Sequence, residues 1–248
     1  MRQDVRQRFY ADLAVWWPLI SPVSHYEGEA AYLASLLNEA VVPVRDVLEL
    51  GSGGGHNAFW LRRHFALTLT DLSEDMLDVS RALNPDCTHL HADMRTLRLD
   101  RQFDAVLIHD AIDYMSSPLH LRNAMATAHH HCRVGGVVVL VPDHVTETFV
   151  PETAHGGVDA PDGRSVRYLE WSTDPDPEDD WVQTDYVFVL RDEHGRTETV
   201  HEVHRTGLFA TERWLELLAD VGLRGEMRIE ATDEARPPRR LFLGHRDS

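Results

Sequence analysis

Residues 49–56 read ELGSGGGH, a glycine-rich turn that directly follows an apolar run over 44–50. A short apolar run that ends in glycine is typical of a buried strand entering a tight turn. Residues 56–64, which follow the turn, are predicted to form a helix. Glycine lets the backbone approach a ligand closely, and the first turn of a helix presents free N–H groups. The stretch therefore predicts a nucleotide-binding strand, turn and helix.

The alternation of strand and helix continues beyond this turn. Further strands are predicted over 66–70, 88–91, 103–109 and 137–141. Helices are predicted from Ser73, as N-cap, to just before Pro85, and over 118–132. Apolar strands that alternate with helices predict a parallel sheet with helices on both faces. On the other side of the turn, residues 1–41 are predicted to be helical, with breaks at Pro18 and Pro22.

The pattern changes after Pro142, where the chain becomes rich in Pro, Gly, Asp and Thr. Antiparallel strands are predicted over 166–173, 181–190 and 197–208. The remaining predictions are a helix over 211–221, capped by Thr211, and strands over 223–229 and 240–244.

These elements predict an α/β, Rossmann-like, doubly wound, seven-stranded, mostly parallel sheet with an antiparallel β insertion after the fifth strand. We expect N-terminal helices and a cofactor-binding core over 1–142, and completion of the core over 208–248. The β-rich insertion over 143–207 would roof the site, because ligands bind at the carboxyl ends of parallel strands.

The composition restricts the location and the partners. Of 248 residues, 24 are Lys or Arg and 41 are Asp or Glu, which gives a net charge of −17. This charge repels nucleic acids and anionic membranes, so we expect a small-molecule substrate. A cytoplasmic location is expected, because no apolar run could span a membrane and residues 1–4 lack the apolar stretch of a signal peptide.

Histidine is abundant, with 16 residues, and the chain has 2 cysteines. These residues cluster at 87–91 and 129–132. In the first cluster, alternation would place Cys87, His89 and His91 on one face of a strand. Neither cluster has the paired spacing of a zinc motif, so we expect no metal.

The glycine spacing alone leaves two nucleotide classes open. Counted from Gly53, the turn fits the dinucleotide pattern with Ala58 in third place, so an NAD-dependent dehydrogenase is an alternative. Glu49 favours S-adenosylmethionine, because an acidic residue at the end of the first strand would meet the cationic aminoacyl group but fit poorly beside a pyrophosphate. Asp71, at the end of the second strand, is placed to accept hydrogen bonds from both ribose hydroxyls.

Three segments resemble successive motifs of class I S-adenosylmethionine-dependent methyltransferases, namely LELGSGGG at 48–55, DLSEDML at 71–77 and ADMR at 92–95. The likeness covers 26–142. Beyond it, the chain resembles the amino-sugar N,N-dimethyltransferases of macrolide pathways in residues 142–149, in the inserted strands and in residues 207–209.

This resemblance, together with the motif positions, implies S-adenosylmethionine as the cofactor. Tyr26 would touch its carboxylate, and the backbone at His109 would hold its amino group. Adenine would pack on Leu72 and Met76 and bond to Asp93 and the Met94 N–H. The predicted cofactor-binding residues are Tyr26, Glu49, Gly51, Ser52, Gly53, Asp71, Leu72, Met76, Asp93, Met94 and His109.

Methyl transfer depends on alignment of donor and acceptor, and a general base helps where the acceptor must lose a proton. The resemblance places Tyr114 near the acceptor amine. The predicted catalytic candidates are Tyr114, His109, Asp110 and His144. Asp110, Asp113 and Asp143 would either give the pocket a negative lining that attracts a protonated amine or face solvent as loop carboxylates.

The sequence thus predicts a small-molecule methyltransferase of bacterial specialised metabolism that methylates the nitrogen of an amine or amino sugar, with a homodimer as its expected assembly. The alternatives are an O-methyltransferase of a hydroxylated metabolite, a non-catalytic cofactor-binding protein on the same fold, the NAD-dependent dehydrogenase, and an enzyme that uses the cofactor's charge for another reaction. Trp16 and Trp17 are expected to anchor the N-terminal helix or to form an aromatic lid.

Overall fold

A computed structural model describes residues 7–232 and 237–247, and predictions that fall on 1–6, 233–236 and 248 lie outside this range. The described residues form two sheets. Their strands are β1 (Asp46–Leu50), β2 (Ala66–Asp71), β3 (Thr88–His91), β4 (Phe103–His109), β5 (Cys132–Val141), β6 (Glu152–Asp159), β7 (Ser165–Thr173), β8 (Trp181–Arg191), β9 (Thr197–Gly207), β10 (Arg224–Ile229) and β11 (Arg240–His245).

The main sheet has seven strands in the order β10-β11-β5-β4-β1-β2-β3. Strands β1 to β5 pair in parallel, and β11 runs antiparallel to both β5 and β10. Every side chain of the central strand β4 is buried, as a strand covered on both faces requires. The predicted seven-stranded, mostly parallel sheet is confirmed.

The α-helices are α1 (Trp17–Ile20), α2 (Glu27–Leu37), α3 (His56–Leu61), α4 (Glu74–Leu83), α5 (Pro118–His131) and α6 (Thr211–Asp220). Side chains of β4 alternate between two cores. Ala105 and Leu107 pack with α2 and α3, whereas Val106 and Ile108 pack with α5 and α6. The doubly wound arrangement therefore follows from strands that are apolar on both faces.

The predicted ends of the helices are correct in part. The Ser73 hydroxyl accepts a hydrogen bond from the Met76 N–H at 3.2 Å, which confirms Ser73 as the N-cap of α4. The prediction that Thr211 caps α6 is wrong. Thr211 is the first helical residue, and its N–H donates to Glu147 at 3.1 Å, because the loop after β5 supplies the capping carboxylate.

Residues before α2 form short segments rather than the predicted longer helix. Single 3₁₀ turns span Arg8–Tyr10, Ala14–Trp16 and Val23–Tyr26, with the four-residue α1 between them. Pro18 lies in the first turn of α1, and Pro22 precedes the last 3₁₀ turn. A proline is tolerated in the first turn of a helix, so the helical run from Ala14 to Ile20 continues through Pro18 and the predicted break there is wrong, whereas the break at Pro22 falls where it was predicted.

The second sheet contains β6, β7, β8 and β9 in sequence order, all antiparallel, and forms the insertion expected after the fifth strand. One face packs on Phe9 and Leu13 of the N-terminal segment. Strand β6 was not predicted, because most of its side chains are exposed and it lacks alternating apolar residues. None of the described helices is both long and apolar enough to cross a membrane.

Candidate active site

The glycine-rich turn between β1 and α3 excludes side chains. Gly51, Gly53 and Gly55 have φ angles of 75°, 52° and 72°, in the left-handed region that glycine tolerates best. A Cβ on Gly51 would collide with Ala111 and lie 2.7 Å from Cε of Met94. The turn therefore presents bare backbone at the carboxyl end of β1.

The Asp71 carboxylate is fixed at the end of β2. Its Oδ2 accepts from the Gly53 N–H at 2.8 Å, and its Oδ1 accepts from the Ser73 N–H at 2.8 Å. An ionised carboxylate has about four acceptor positions, so both oxygens can also accept from a ligand hydroxyl. Met76 is buried beside the turn, whereas Leu72 is 62% exposed.

Glu49 is buried near the turn with an unsatisfied oxygen. Glu49 is only 3% exposed, and its Oε2 has no hydrogen-bond partner among the described residues. Burial raises the pKa of Glu49, His109 offsets part of this rise and Asp71 adds to it, so that the pKa is about 7. A ligand ammonium next to this oxygen would supply the missing partner and favour the charged carboxylate.

Trp17 and Tyr26 of the N-terminal segment contact His56 at the start of α3. Trp17 Nε1 donates to His56 Nδ1 at 3.0 Å, and the Tyr26 ring lies 5.3 Å from the imidazole. Burial lowers the pKa of His56 to about 4, so the ring is neutral and carries its proton on Nε2. The Tyr26 hydroxyl shares a hydrogen bond with Ser21 Oγ at 2.7 Å, and Ser52 Oγ is buried with no partner in the described chain.

Asp93 already has a partner in this structure. The Arg95 guanidinium donates to both Asp93 oxygens at 2.7–3.0 Å, and the Arg95 N–H also donates to Oδ1. Burial raises the pKa of Asp93, but the hydrogen bonds from Arg95 outweigh it, so the pKa lies below its ordinary value. An adenine amino group would share this carboxylate with Arg95. Met94, half-buried, lies over Gly51.

His109 ends β4 inside a cluster of charged groups. Its Nε2 is 3.1 Å from Glu29 Oε1, and its Nδ1 is 3.1 Å from Asp110 Oδ1. Burial lowers the pKa of His109, but the two carboxylates outweigh it and raise the value to about 10. Imidazolium has no free lone pair, so His109 fits a cation that organises carboxylates and does not fit the predicted role of a general base.

Arg239, from the loop before β11, is the second cation of this cluster. Its guanidinium pairs with Glu29, with Glu230 Oε1 at 3.0 Å, with Asp110 Oδ1 at 2.9 Å and with Asp143 Oδ1 at 3.4 Å. The Arg239 side chain is 7% exposed. One buried cation therefore joins α2, the β10–β11 hairpin and the ends of β4 and β5.

Asp110 and Asp143 are half-exposed at the strand ends rather than buried in the core. Their side chains are 47% and 56% exposed, although both contact the buried Arg239. Asp113 lies behind them, 6% exposed, and its Oδ2 accepts from the Asp143 N–H at 2.9 Å. Burial, reinforced by Asp143, raises the pKa of Asp113 well above its ordinary value. Of the three predicted carboxylates, two are open to solvent at the strand ends.

Tyr114 follows the same strand end and forms two hydrogen bonds. Its hydroxyl is 2.8 Å from the Tyr10 hydroxyl and 2.8 Å from His204 Nδ1. Burial raises the pKa of Tyr114 well above its ordinary value, and Tyr10 adds to the rise. The hydroxyl therefore stays protonated at neutral pH, and Tyr114 cannot act as a base by ionising.

The remaining histidines have other surroundings. His144 packs its ring against Phe149, 5.5 Å away, and among the described residues it forms no hydrogen bond or ion pair with the cluster around His109. His89 is bonded to Ser80 Oγ and His131 accepts from the Leu99 N–H, at 2.9 and 2.8 Å. Within 7–232 and 237–247, no group of three or more His, Cys, Asp or Glu side chains could hold a metal ion.

Four residues of this region were not predicted from the sequence. Tyr10, Glu29, His204 and Arg239 come from the N-terminal segment, α2, β9 and the last hairpin, and no motif spacing relates them. His56 could have been predicted from the sequence, because it directly follows the glycine-rich turn.

The residues at this edge fit S-adenosylmethionine. The turn can approach a nucleoside closely, Asp71 can accept from ribose hydroxyls, and the unpartnered Glu49 oxygen suits the cationic aminoacyl group.

Comparisons with known proteins agree with this geometry. Residues 47–136 match the family model of a methyltransferase domain. The chain is 30% identical over 204 residues, covering 81% of it and 78% of the relative, to a dTDP-3-amino-3,6-dideoxy-alpha-D-glucopyranose N,N-dimethyltransferase of Streptomyces fradiae. It is 29% identical over 221 residues, covering 88% of it and 90% of the relative, to a dTDP-3-amino-3,4,6-trideoxy-alpha-D-glucopyranose N,N-dimethyltransferase of Streptomyces venezuelae.

A solved structure shows the same architecture. The sugar N-methyltransferase KedS8 from a Streptoalloteichus species superposes with a TM-score of 0.81 at 27% identity, over 96% of this chain and 92% of the other. The agreement spans the main sheet and the inserted strands, because it covers nearly the whole chain. The chain therefore belongs to the class I methyltransferases that use S-adenosylmethionine as their methyl donor.

Proposed function

We propose that this protein methylates the amino group of an amino sugar, in the specialised metabolism of a bacterium. The observation that carries the proposal is the pair of half-exposed carboxylates, Asp110 and Asp143, near Tyr10, whose hydroxyl is bonded to Tyr114. The proposal is supported by the names of the two relatives, which act on amino sugars carried by dTDP.

We assign cofactor binding and acceptor binding to different residues of the site. When bound, the cofactor supplies an electrophilic methyl group on a sulfonium with a good neutral leaving group. We propose that the glycine-rich turn, Glu49 and Asp71 hold it. Asp110 and Asp143 would attract the acceptor as an ammonium ion, because both carboxylates are negative and half-exposed. The ammonium ion must then release one proton to solvent, because only the neutral amine has the lone pair that attacks the methyl group. The enzyme then acts mainly by aligning the acceptor nitrogen, and alignment can contribute about 7–11 kcal/mol.

We also propose that the insertion over 143–207 roofs the site, between the core over 1–142 and its completion over 208–248. Two contacts support this division. His204 of β9 is bonded to Tyr114, and a Cβ on Gly207 would lie 2.6 Å from the Met115 carbonyl oxygen. A roof that excludes water would strengthen the interaction between the carboxylates and an ammonium ion.

The test combines cofactor binding with product analysis. Incubation of the protein with S-adenosylmethionine and a dTDP-3-amino-3,6-dideoxyhexose should yield mono- and then dimethylated product by mass spectrometry. Asp71→Ala should lose about 10-fold or more in cofactor affinity by calorimetry, because it removes hydrogen bonds to a charged group. Asp78→Asn, on the exposed side of α4, is the matched control. Cofactor binding without methylation of any amino sugar would contradict the proposal.

O-methylation is the second candidate, because Tyr114 is bonded to a histidine and a hydroxyl acceptor depends on such a group more than an amine does. The 3-hydroxyl analogue of the same sugar nucleotide distinguishes the two. Methylation of the analogue alone would make the protein an O-methyltransferase.

The assembly and location remain proposals as well. Leu169, Trp171, Val189 and Val203 lie on the outward face of the second sheet and are 38–56% exposed, which supports a homodimer through that face. Light scattering would measure it. Free Cys87 and Cys132 support a reducing, cytoplasmic location, and the charge of −17 supports the absence of a nucleic acid partner.

A further inference from the structure

A chain of hydrogen bonds leads from Tyr10, near the carboxylates at the strand ends, into the second sheet. The Tyr10 and Tyr114 hydroxyls are 2.8 Å apart, Tyr114 is 2.8 Å from His204 Nδ1, and His204 Nε2 is 3.2 Å from Glu202 Oε2. Tyr10 is the outer end of this hydrogen-bond chain. Burial raises the pKa of Tyr10, and the charges of Asp110, Asp71 and Asp143 lie close enough to raise it further. The chain thus starts at the strand ends where the cofactor and acceptor would meet.

The inner end of this hydrogen-bond chain is buried. The side chains of His204 and Glu202 are 1% and 9% exposed. Aromatic rings surround the imidazole, with centroids 4.8–6.3 Å away, from Phe9, Tyr10, Tyr114 and Tyr186. The titratable groups that face His204 are therefore Tyr10, Tyr114, Tyr186 and Glu202, and Thr184 is its cross-strand neighbour.

The chemistry of the end group fixes the direction of every bond. An ionised carboxylate only accepts hydrogen bonds, so His204 Nε2–H donates to Glu202. Burial lowers the pKa of His204, and Glu202 offsets this only in part, so the ring is neutral at neutral pH and its Nδ1 is a bare acceptor. The Tyr114 O–H must then donate to Nδ1, and the Tyr10 O–H donates to Tyr114. The second lone pair of the Tyr114 oxygen is left for a ligand.

We propose that Glu202 and His204 are positioning residues that hold Tyr114 as a hydrogen-bond acceptor toward the substrate amine. The proposal rests on the proposed N-methylation and adds the group that orients the nucleophile. A neutral amine that donates one N–H to Tyr114 is held in one orientation, with its lone pair free for the methyl group. Protonation of His204 would put a proton on Nδ1 and turn the Tyr114 hydroxyl into a donor, which would compete for that lone pair.

The first experiment reads the bond directions without any acceptor. Nitrogen-15 NMR of the full-length protein at neutral pH should show His204 as the neutral tautomer with its proton on Nε2. Glu202→Gln should shift the ring toward the Nδ1–H tautomer, because the Gln amide can donate to Nε2. A proton on Nδ1 in the unsubstituted protein would overturn the proposal.

The second experiment measures turnover. Glu202→Gln should lower kcat about 100-fold, the effect of a misplaced reacting group, while the Kd of S-adenosylmethionine stays unchanged. Glu198→Gln, on the same strand but exposed and paired with Arg8, should retain full kcat. Equal kcat in the two variants would overturn the proposal.

A second pair of variants covers the case in which Glu202→Gln does not fold. His204→Asn keeps an acceptor near the position of Nδ1, whereas His204→Phe keeps the ring volume without one. The Asn variant should retain more kcat than the Phe variant, and the reverse order would overturn the proposal. Failure of the proposed function is distinguishable, because the unsubstituted protein would then methylate no amine although its His204 tautomer is as assigned.

Discussion

Glu49 and His109 lie at the ends of neighbouring strands, but their surroundings favour the neutral form of Glu49 and the charged form of His109. Both are buried. Glu49 has no partner for Oε2, so burial raises its pKa to about 7, whereas Glu29 and Asp110 raise the pKa of His109 to about 10. Burial disfavours charge, and only a close opposite charge overcomes it. The residue types could be read from the sequence, but their protonation states could not.

The pKa of Glu49 predicts a pH dependence of cofactor binding. A cationic aminoacyl group favours the ionised carboxylate, so binding releases the proton that Glu49 carries below its pKa of about 7. Affinity for S-adenosylmethionine should therefore rise between about pH 5.5 and about pH 7.5, by at most ~10-fold per pH unit. Calorimetry across this range measures the effect.

Glu49→Gln should bind more weakly at the upper end of this range and lose most of the pH dependence. Glu216→Gln, on an exposed part of α6, is the control and should behave like the unsubstituted protein. A pH dependence that survives in Glu49→Gln would assign it to another group, such as Asp71, whose pKa burial also raises.

Most elements followed from local pattern. The glycine-rich turn, β3 and β4 were predicted with the observed bounds, because β4 is apolar throughout and the turn has few other conformations. Strand β6 and the single 3₁₀ turns of the N-terminal segment were not predicted. Strand β6 is held by pairing with β7 rather than by burial of its own side chains, and such support lies outside the segment itself.

The turn predicts a sharp difference between two Gly→Ala substitutions. Gly51→Ala forces an L-residue to a φ of 75° and drives its Cβ into Ala111, so it should cost about 1–3 kcal/mol of stability and weaken cofactor binding. Gly28→Ala, inside α2 with nothing within 4 Å of its Cβ, should be neutral or stabilise by about 0.4–1 kcal/mol.

Urea denaturation and cofactor titration measure both variants. Gly51→Ala with unchanged stability and affinity would mean that the turn tolerates a side chain, and the role of bare backbone there would be wrong.

At the scale of the whole molecule, the ion pairs of Arg239 connect the β10–β11 hairpin to the rest of the fold. It joins Glu230 of that hairpin to Glu29 of α2 and to Asp110 after β4. Arg239→Leu should lower the free energy of unfolding by about 3–5 kcal/mol, because it leaves buried carboxylates without their cation. Arg228→Leu removes two half-exposed ion pairs, with Glu39 and Glu226, and should cost at most about 1 kcal/mol.

Denaturant titration of the two variants provides the comparison. If Arg239→Leu lost no more stability than Arg228→Leu, water would solvate the carboxylates well enough without their cation. Arg239 would then stabilise the fold no more than a surface residue does.

The sequence by itself determined the sheet, the turn and the class of cofactor. These depend on local properties, since apolar strands, glycine conformations and the ends of successive strands are fixed by residues a short distance apart in the chain. Asp71 and Glu49 were therefore predicted as cofactor-binding residues from their residue type and their positions near the ends of β2 and β1.

The tertiary structure decided which groups lie at the proposed acceptor site and what protonation state each one holds. Tyr10, Tyr114 and His204 meet only because the N-terminal segment and the second sheet pack over the strand ends, with 90 residues of chain between Tyr114 and His204. Burial and charge are properties of that assembled environment rather than of a motif. The local motifs predicted the methyl donor, and we propose that the fold above them orients the methyl acceptor.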